Sequence, residues 1–304
     1  YDVIVYTKGG VIGRGGEYTV AGSGGGSIDA GLSDGLVAYW NFNDGDFNDS
    51  VGDFHGEERG SDPIMFTDGP SGSFGPALNL DGVDQFVEIT GGDNTALSFA
   101  GGSMAMSAWF RVGAFDKSWQ ALIAKGEGNR WRIHRRGGDG GFAHAGGTGE
   151  GAAGFDLEMD QWYHVVALSD GEGVDFGTRL YVDGEIYTEY DQTPDLGEND
   201  KNVMIGENPD AAGRTWNGDI DDVALWNRIL TEDEIAKLSA GALAPGAEQT
   251  NAHVDADEFD GTWVEGSEGN FIVFKGVSGS SFSLKGQPTT GSPARAPINA
   301  IEVL

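Results

Sequence analysis

Short apolar or alternating segments, separated by glycine-rich turns, recur along this chain. Typical segments are Val3–Tyr6, Phe86–Ile89 and Phe271–Phe274. Alternation with a period of two is typical of β-strands that bury one face, and 52 glycines in 304 residues supply turns between them. The pattern predicts an all-β fold.

One segment, residues 231–238, has helical spacing instead. Thr231 is a favourable N-cap, and Glu234 follows three residues later as in a capping box. Ile235 and Leu238 form an apolar edge on the same segment. We therefore predict one short helix here.

Two segments rich in Gly, Ser, Ala and Pro, residues 22–27 and 240–247, divide the chain. We predict that the part between them forms a central domain, residues 31–243. The two strands predicted before it are too few to bury a sheet face. Further strand-like segments follow it at residues 261–266, 269–274, 281–284 and 296–303. We predict that residues 1–27 and 251–304 form one discontinuous β-sandwich domain, with the central domain inserted into it.

Composition narrows the classes of function. The chain has no cysteine, which excludes disulfides, thiol nucleophiles and cysteine-based metal sites. Its 49 acidic and 18 basic residues give a formal net charge of −31, which repels nucleic-acid phosphates and anionic membrane surfaces. No apolar run is long enough to span a bilayer. The sequence begins at Tyr1 without an initiator Met or a signal segment, so we expect a mature or excised piece of a secreted protein. We expect neither nucleic acid nor membrane insertion, whereas divalent cations suit such a charge.

Seven segments of the central part, in order, resemble the laminin-G-like domains of bacterial surface proteins. They are residues 35–42, 77–82, 86–89, 106–110, 161–166, 180–184 and 218–230. The flanking parts resemble, more loosely, a galactose-binding-like β-sandwich repeat that ends in a similar Arg-Ala-Pro-Ile-Asn run, here residues 295–299. The resemblance implies a concanavalin-A-like two-sheet jelly roll inserted into a second, smaller β-sandwich. Such jelly rolls often carry calcium at the rim and serve ligand binding or adhesion, but the fold alone does not fix the function.

Residues 43–49 are dense in Asp and Asn, whose oxygens are the ligands that calcium prefers. They lack the later glycine and glutamate of an EF-hand loop, so an EF-hand is excluded. In the resembled family the opening loop approaches the closing strand, which implies a calcium site formed by Asp44, Asp49 and Asp221. The alternative is that these are solvated turn aspartates in a strongly acidic chain.

Four of the 18 Lys and Arg residues fall within residues 130–136. In a strand, alternate basic side chains share one face, while Trp131 and Ile133 lie on the other. A five-residue turn after residue 136 predicts that His144 lies across from His134 on the basic face. Such a face suits carboxylate or sulfate groups, because guanidinium donates bidentate hydrogen bonds. The candidate ligand-binding residues are Arg130, Arg132, His134, Arg136 and His144.

The alternative for this basic strand is that its cations pair with the chain's own acids or with a neighbouring subunit. Tryptophans can also stack on sugar rings, but the sequence separates them into two groups. Those within the resembled strand motifs, Trp40, Trp109, Trp162 and Trp226, are expected in the core. Those nearer to loops are Trp119, Trp216 and Trp263.

A catalytic site is not expected. Retaining glycosidases on this scaffold place carboxylates in a Glu-x-Asp-x-x-Glu spacing, which aims the nucleophile and the acid into one cleft. Glu158 and Asp160 begin that spacing, but Tyr163 stands where the acid is needed. His164 is expected to be a structural hydrogen-bonding residue. The sequence therefore predicts that the protein is not an enzyme.

The leading hypothesis is an extracellular, non-catalytic binding or adhesion module at a bacterial cell surface, with a glycan as its ligand and calcium as a stabilising ion. The second is a structural subunit or repeat of an extracellular filament, surface layer or giant adhesin. Its partners would be neighbouring surface-protein subunits, in a homopolymer. The third, a polysaccharide-active enzyme, is disfavoured by Tyr163.

Overall fold

The computed structural model describes a large part of the chain. The described residues are 3–6, 15–23, 30–71, 74–138, 141–147, 149–150, 157–171, 176–191, 194–243, 249–254, 271–274, 281–290, 298 and 300–303. The chain divides into two compact units. The larger unit is Asp34–Gly241, and the smaller unit combines Tyr1–Ser33 with Ala242–Leu304.

The smaller unit contains two three-stranded antiparallel sheets. Its elements are β1 (Val3–Tyr6), β2 (Gly15–Ser23) and α1 (Ala30–Ser33) before the larger unit, and β17 (Gln249–Val254), β18 (Phe271–Phe274), β19 (Ser281–Thr290) and β20 (Ala300–Val303) after it. β1 pairs with β18 and β20, while β2 lies between β17 and β19. Strands from before the larger unit thus hydrogen-bond to strands from after it. That the two sheets close into one β-sandwich domain, with the boundaries expected above, stays a prediction.

Some of the predicted features lie outside the described residues. They are the strand at 261–266, the linker residues 24–27 and 244–247, and all but Ile298 of the run at 295–299.

The larger unit consists of two antiparallel sheets. Its strands are β3 (Leu36–Trp40), β4 (Gly56–Arg59), β5 (Met65–Asp68), β6 (Pro76–Asp81), β7 (Phe86–Ile89), β8 (Met104–Val112), β9 (Ala121–Ala124), β10 (Trp131–Arg135), β11 (Phe142–Gly146), β12 (Trp162–Ser169), β13 (Thr178–Val182), β14 (Glu185–Tyr190), β15 (Met204–Ile205) and β16 (Asn217–Trp226), with a short 3-10 helix at Ala96–Ser98. The six-stranded sheet has the order β11-β10-β9-β15-β7-β4. The eight-stranded sheet has the order β14-β13-β12-β8-β16-β6-β5, and β3 also pairs with β16. The predicted all-β jelly roll is confirmed.

The hydrophobic core lies between the two sheets, because alternate residues of each strand turn inward. Phe110 of β8 stacks on Phe142 of β11 with ring centroids 4.9 Å apart, which joins the two sheets. Trp216 packs edge-on against Phe110 and is fully buried. Each large side chain buried in this way contributes about 2 to 3 kcal/mol.

The predicted helix is confirmed as α2, Glu232–Ser239. Thr231 is its N-cap, and both hydrogen bonds of the capping box with Glu234 are present. Glu234 also binds Arg228 through two guanidinium nitrogens, at 2.7 and 3.0 Å, which holds the pKa of this carboxyl at about 2. No helix within the described ranges is long and apolar enough to cross a bilayer.

The tryptophan predictions are only partly right. Trp40 is in the core and Trp226 is fully buried, as expected. Trp109 and Trp162, however, are only half-buried. Their strand neighbours, such as Phe110, face the core, so alternation turns these two rings to the outer face of the eight-stranded sheet. Trp216 is buried rather than near the surface, and residue 263 is outside the described part.

Candidate functional site

The basic residues predicted as a ligand site lie on β10, in the six-stranded sheet. Trp131 and Ile133 join the hydrophobic core, so Arg132 and His134 lie on the outer face, as strand alternation predicts. Both are nevertheless well buried, with 9% and 1% of their surfaces exposed. The site is therefore built into the sheet rather than displayed on a free surface.

One acidic residue, Glu150, contacts three of these basic side chains. Its carboxylate lies 3.5 Å from Arg132 Nη2, 3.0 Å from His134 Nε2 and 3.2 Å from Arg136 Nε. An isolated β-bridge between Ala145 and Glu150 brings the acid to this side of the sheet. The hydrogen bond from His134, with the nearby guanidinium charges, lowers the pKa of Glu150 to about 2. We call Arg132, His134, Arg136 and Glu150 the basic cluster.

His134 is held in a fixed orientation within the basic cluster. Its Nδ1 lies 2.9 Å from the Arg135 carbonyl and its Nε2 faces Glu150. Both partners are acceptors, so only the imidazolium can donate to both. Burial lowers the pKa of His134, and the hydrogen bond that His134 donates to Glu150 opposes that shift. The half-exposed Trp119 stacks on the imidazole, with centroids 5.4 Å apart and an interplanar angle of 21°.

Arg132 keeps donors that the protein does not use. Its Nε and Nη1 are buried and find no hydrogen-bond partner in the described part of the chain. Burial lowers the pKa of this guanidinium, while the carboxylates of Glu127, Glu150 and Asp210 oppose the shift. An arginine carries five N–H donors in a planar fork, which matches a carboxylate or sulfate. Arg132 therefore keeps unpaired donors in the described structure, and a ligand at this position is a proposal, taken up below.

A second ion pair borders the same region. Arg214 binds Glu127, and its guanidinium lies 5.7 Å from the centroid of the Trp119 ring. Asn208 Nδ2 donates to the same Glu127 carboxylate at 3.0 Å. The Trp119 ring thus contacts both His134 of the basic cluster and Arg214.

Two of the predicted ligand residues do not belong to this cluster. The Arg130 guanidinium donates to Asn129 instead. His144 lies opposite Ile133 rather than His134, because the hairpin pairs Arg135 with Phe142. That register differs by one residue from the predicted one, and a shift of one residue moves a side chain to the other face.

His144 consequently lies between the sheets. Its Nε2 contacts Ser169 Oγ of β12 at 2.8 Å, and burial lowers its pKa to about 3. It acts as a buried hydrogen-bonding residue, and its prediction as a ligand residue is wrong.

A different site lies on the outer face of the eight-stranded sheet, around Asp221 and Asp222 of β16. The register of β16 with β8 shifts between Asp221 and Ala224, and Asp222 has a positive φ of 47°. Adjacent strand residues normally face opposite sides, and this bulge brings the two carboxylates close together. Tyr39 Oη donates to Asp222 Oδ1, and the Asp222 amide donates to Asp221 Oδ1 at 2.9 Å.

Several buried polar atoms here have no protein partner among the described residues: Oδ2 of Asp221, Oδ2 of Asp222, and both amide atoms of Asn43. Two glycines pack closely against them. A Cβ on Gly69 would lie 2.7 Å from Asp221 Oδ2, and one on Gly75 would overlap Asn43 Oδ1. Gly69 donates to the Gly75 carbonyl at 3.1 Å. Asn43 and Asp221 therefore face the same short segment, and we call Asn43, Asp221 and Asp222 the aspartate site.

Among the described residues, no Lys, Arg or His forms an ion pair with the two carboxylates of the aspartate site. Burial raises the pKa of Asp222 to about 7. Burial, together with the adjacent Asp222, raises the pKa of Asp221 as well. Buried carboxylates close to each other are costly to ionise without a positive partner. A hard cation is the chemical partner that these oxygens fit.

The predicted calcium ligands need correction in two places. No three His, Cys, Asp or Glu side chains within the described ranges form a group that could hold a metal, so Asp44, Asp49 and Asp221 do not make a three-carboxylate site. Asp49 accepts backbone hydrogen bonds from Tyr39, Val51 and Phe54 at 2.9 to 3.2 Å, and so stabilises its own turn.

Asp44 is exposed. Asn43 and Asp222 were not among the predicted residues, because the approach of Asn43 to β16 and the bulge that turns Asp222 are not visible in the sequence. Two carboxylates, one amide oxygen and nearby backbone carbonyls still form a donor set of the kind that calcium takes. Whether calcium binds there is a proposal, taken up below.

The residues considered for catalysis serve structural roles. Tyr163 is buried, and its hydroxyl accepts from the Glu158 amide at 3.0 Å. Glu158 and Asp160 are both exposed at the surface. His164 contacts Ser107 Oγ at 2.9 Å, but both residues are buried, and burial lowers the pKa of His164 to about 3. A base with so low a pKa is weak at neutral pH.

Comparison with known proteins identifies the family to which the larger unit is related. Residues 81–236 match a family model described as the concanavalin A-like lectin/glucanases superfamily. A stretch of 98 residues is 32% identical to human adhesion G-protein coupled receptor D1. That match covers 31% of this chain and 11% of the receptor.

Solved structures show the same fold at low sequence identity. Domain 4 of an extracellular arabinanase from Geobacillus stearothermophilus, solved with arabinotriose, has a TM-score of 0.52 and 19% identity, covering 67% of this chain and 98% of that domain. The receptor-binding domain of a botulinum neurotoxin C/D mosaic has a TM-score of 0.51 and 14% identity. That match covers 68% of this chain and 51% of the toxin domain. This chain therefore spans about half the length of the toxin domain.

Proposed function

This chain belongs to the concanavalin A-like lectin/glucanase superfamily, and we propose that its larger unit is a non-catalytic, carbohydrate-binding module of an extracellular protein. We place the ligand site at the basic cluster and Trp119, on the outer face of the six-stranded sheet. The observation that carries this proposal is the buried Arg132 guanidinium, whose Nε and Nη1 have no hydrogen-bond partner in the described structure.

The chemistry of the cluster favours a sugar with an acidic group. Buried donors without partners are costly, and a carboxylate or sulfate on a sugar supplies acceptors that match the guanidinium fork. Trp119, which stacks on His134 of the basic cluster, offers a half-exposed ring on which the apolar face of a sugar can pack. Because the chain carries a net charge of −31, attraction over long distances is absent, so the recognition acts at short range.

The similar proteins support a glycan as the ligand class. One similar domain was solved with arabinotriose, and another similar structure belongs to botulinum neurotoxin type C, whose cell entry depends on interaction with two ganglioside molecules. The sequence identities, 19% and 14%, support the fold and not the particular sugar. An adhesive role at a cell surface is part of the same proposal, since binding modules of this fold occur in extracellular proteins.

Calcium is the second part of the proposal. Asp221, Asp222 and the Asn43 side-chain oxygen would hold it, together with backbone carbonyls. When bound, the ion supplies the positive charge that the two carboxylates lack. Asn43, in the loop after β3, would thereby be tied to the strand β16, and the rim of the sheet would be stiffened.

We also propose that the larger unit is not catalytic. Tyr163 replaces the carboxylic acid that a retaining glycosidase needs, and it is hydrogen-bonded to Glu158 in the fold. The Ser107–His164 pair is buried and holds a weak base.

The test of the ligand site is a binding measurement with Arg132→Lys. Lysine keeps the charge beside Glu150 but loses the planar fork, so stability should change little while affinity for sialylated or uronic-acid oligosaccharides should fall about tenfold or more. Isothermal titration calorimetry with such oligosaccharides measures the affinity. Trp119→Ala should lower it as well.

The matched control is Arg59→Lys, on the same sheet. Arg59 pairs with Glu57 and Glu88 at 2.8 and 2.7 Å, in a partly exposed ion pair away from the basic cluster. This variant should bind like the wild type. Equal affinities of the wild type and Arg132→Lys for every acidic oligosaccharide would refute the site.

A further inference from the structure

A row of side chains crosses the outer face of the eight-stranded sheet, on the opposite side of the sandwich from the basic cluster. The strand registers pair Trp162 with Arg111, Arg111 with Asp219, Asp219 with Asn79, and Asn79 with Met65. Five neighbouring strands, β12, β8, β16, β6 and β5, thus contribute one residue each. We call these five residues the outer row.

The outer row faces away from the core. The next residue on each strand faces inward: Tyr163, Phe110, Ile220 and Leu78 all belong to the core cluster, and Phe66 packs against it. Strand alternation therefore directs the outer row to the surface. Five strands spaced by about 4.8 Å make the row about 19 Å long, which is enough for several consecutive sugar rings.

Hydrogen bonds hold the polar part of the row in place. Asp219 accepts from Arg111 Nε at 2.5 Å and from Asn79 Nδ2 at 2.7 Å. The Arg111 guanidinium lies 5.3 Å from the centroid of the Trp162 ring. Side chains already fixed in this way lose little conformational entropy when a ligand binds, which favours binding.

Four of the five residues of the outer row are accessible, whereas Asp219 at its centre is buried, with 2% of its surface exposed. Asn79 is exposed, Met65 is 66% exposed, and Trp162 and Arg111 are half-exposed. The charges of Arg111 and Asp219 cancel. The row therefore offers an aromatic ring at one end, an apolar side chain at the other, and amide and guanidinium hydrogen-bonding groups between them.

We propose that the outer row is a second binding surface, which takes a neutral, unbranched polysaccharide chain lying across the strands. Trp162 stacks on a sugar ring, and Arg111 and Asn79 hydrogen-bond to hydroxyl groups of the following rings. A neutral ligand fits because the row has no net charge to bind an anion, and the net charge of −31 repels anionic polymers. This surface does not depend on the basic cluster, and it binds a different class of glycan.

The test uses the whole chain in calcium-containing buffer, with cello-, xylo-, arabino- and chito-hexaose as probes. At least one of these neutral oligosaccharides should bind, and Trp162→Ala should weaken that binding about tenfold. Asn79→Ala, at an exposed position well separated from Trp162 in the row, should weaken it severalfold, with a modest fall in melting temperature because Asp219 loses one hydrogen-bond donor. Titration calorimetry measures affinity, and circular dichroism confirms that each variant is folded.

The matched control is Phe176→Ala. Phe176 is a half-exposed aromatic residue on the same unit, with the Arg179 guanidinium 4.2 Å from its ring centroid, and it lies outside the row. It should bind the hexasaccharides like the wild type. The proposal is overturned if no neutral hexasaccharide binds, if Asn79→Ala and Trp162→Ala bind like the wild type, or if Phe176→Ala loses as much affinity as Trp162→Ala. Loss of acidic-sugar binding in Arg132→Lys tests the other site separately.

Discussion

Two sets of acids withdrawn from solvent differ in how the protein compensates their charge. Glu150 lies among Arg132, His134 and Arg136, and its pKa falls to about 2. Asp221 and Asp222 have only each other and polar neighbours, and the pKa of Asp222 rises to about 7. In a chain with a net charge of −31, one acid is thus compensated internally, whereas the other two have no cationic partner among the described residues, which is the basis of the calcium proposal.

A similar contrast exists between buried polar groups that are hydrogen-bonded and buried polar groups that are not. Asp49 is surrounded by three backbone donors, whereas Arg132 keeps two buried nitrogens without partners in the described structure. Unpaired buried polar groups are costly, so their presence in a folded protein calls for an explanation. We propose that two of these places, Arg132 and the aspartate site, are where this module takes up ligands.

The largest expected effect concerns Asp49. Asp49→Ala removes a charged acceptor from three backbone amides and should lower the free energy of unfolding by about 3 to 5 kcal/mol. Urea unfolding measures it. Asp49→Asn, which retains one side-chain oxygen, should cost much less. If Asp49→Ala instead acted only by abolishing a response to calcium, Asp49 would be a metal ligand after all.

A smaller effect is expected at Glu150. Glu150→Gln leaves Arg132 and His134 without their charged acceptor and should destabilise the protein by about 1 to 3 kcal/mol, irrespective of calcium. Chemical denaturation with and without calcium measures this. A variant as stable as the wild type would mean that the basic cluster is not held together by Glu150.

Acidic pH should remove the same stabilisation. The pKa of Glu150 in the folded protein, about 2, lies below its ordinary value, so its contribution is present above that ordinary value and is lost as pH falls toward 2. The pKa of Glu234, which is paired with Arg228, is also lowered, so its contribution is lost in the same pH range. Between about pH 4.5 and 2 the wild type should therefore lose stability more steeply than Glu150→Gln. Parallel curves for the two proteins in a pH series of denaturant melts would contradict this.

These pairings show what the sequence could and could not predict. Alternation correctly placed Arg132 and His134 opposite Trp131, because strand geometry is local. His144 was misplaced, since the hairpin register depends on the turn and a shift of one residue reverses the face. Glu150 could not be assigned, because its position depends on how the chain returns beside β11.

The residues of the aspartate site show the same limit of prediction from sequence. Asp221 was predicted from the resemblance to a known family, but its partners Asn43 and Asp222 depend on a bulge in β16 and on the close approach of Gly69 and Gly75. Tertiary contacts of this kind leave no periodic signal. The outer position of Trp162 was available from alternation, but its place in a strand motif suggested the core.

The smallest expected effect is that of Asp44→Asn. Asp44 is exposed, so this change should alter stability by no more than about 0.5 kcal/mol and should leave calcium affinity unchanged. Titration calorimetry with calcium is the measurement. A large loss of calcium affinity would restore Asp44 to the ligand set.

The central claim is that Asp221 and Asp222 are left for a cation, and thermal melting of the wild type and Asp221→Asn in calcium, magnesium and EDTA tests it most directly. With calcium at about a hundred times its dissociation constant, the wild type should melt roughly 5 to 10 °C higher than in EDTA. Asp221→Asn should show no such rise, and in EDTA it should melt at or above the wild type, because one of two adjacent buried carboxylates has been neutralised. A wild type that melts at the same temperature in calcium and EDTA, or an Asp221→Asn variant that responds to calcium as the wild type does, would contradict the account.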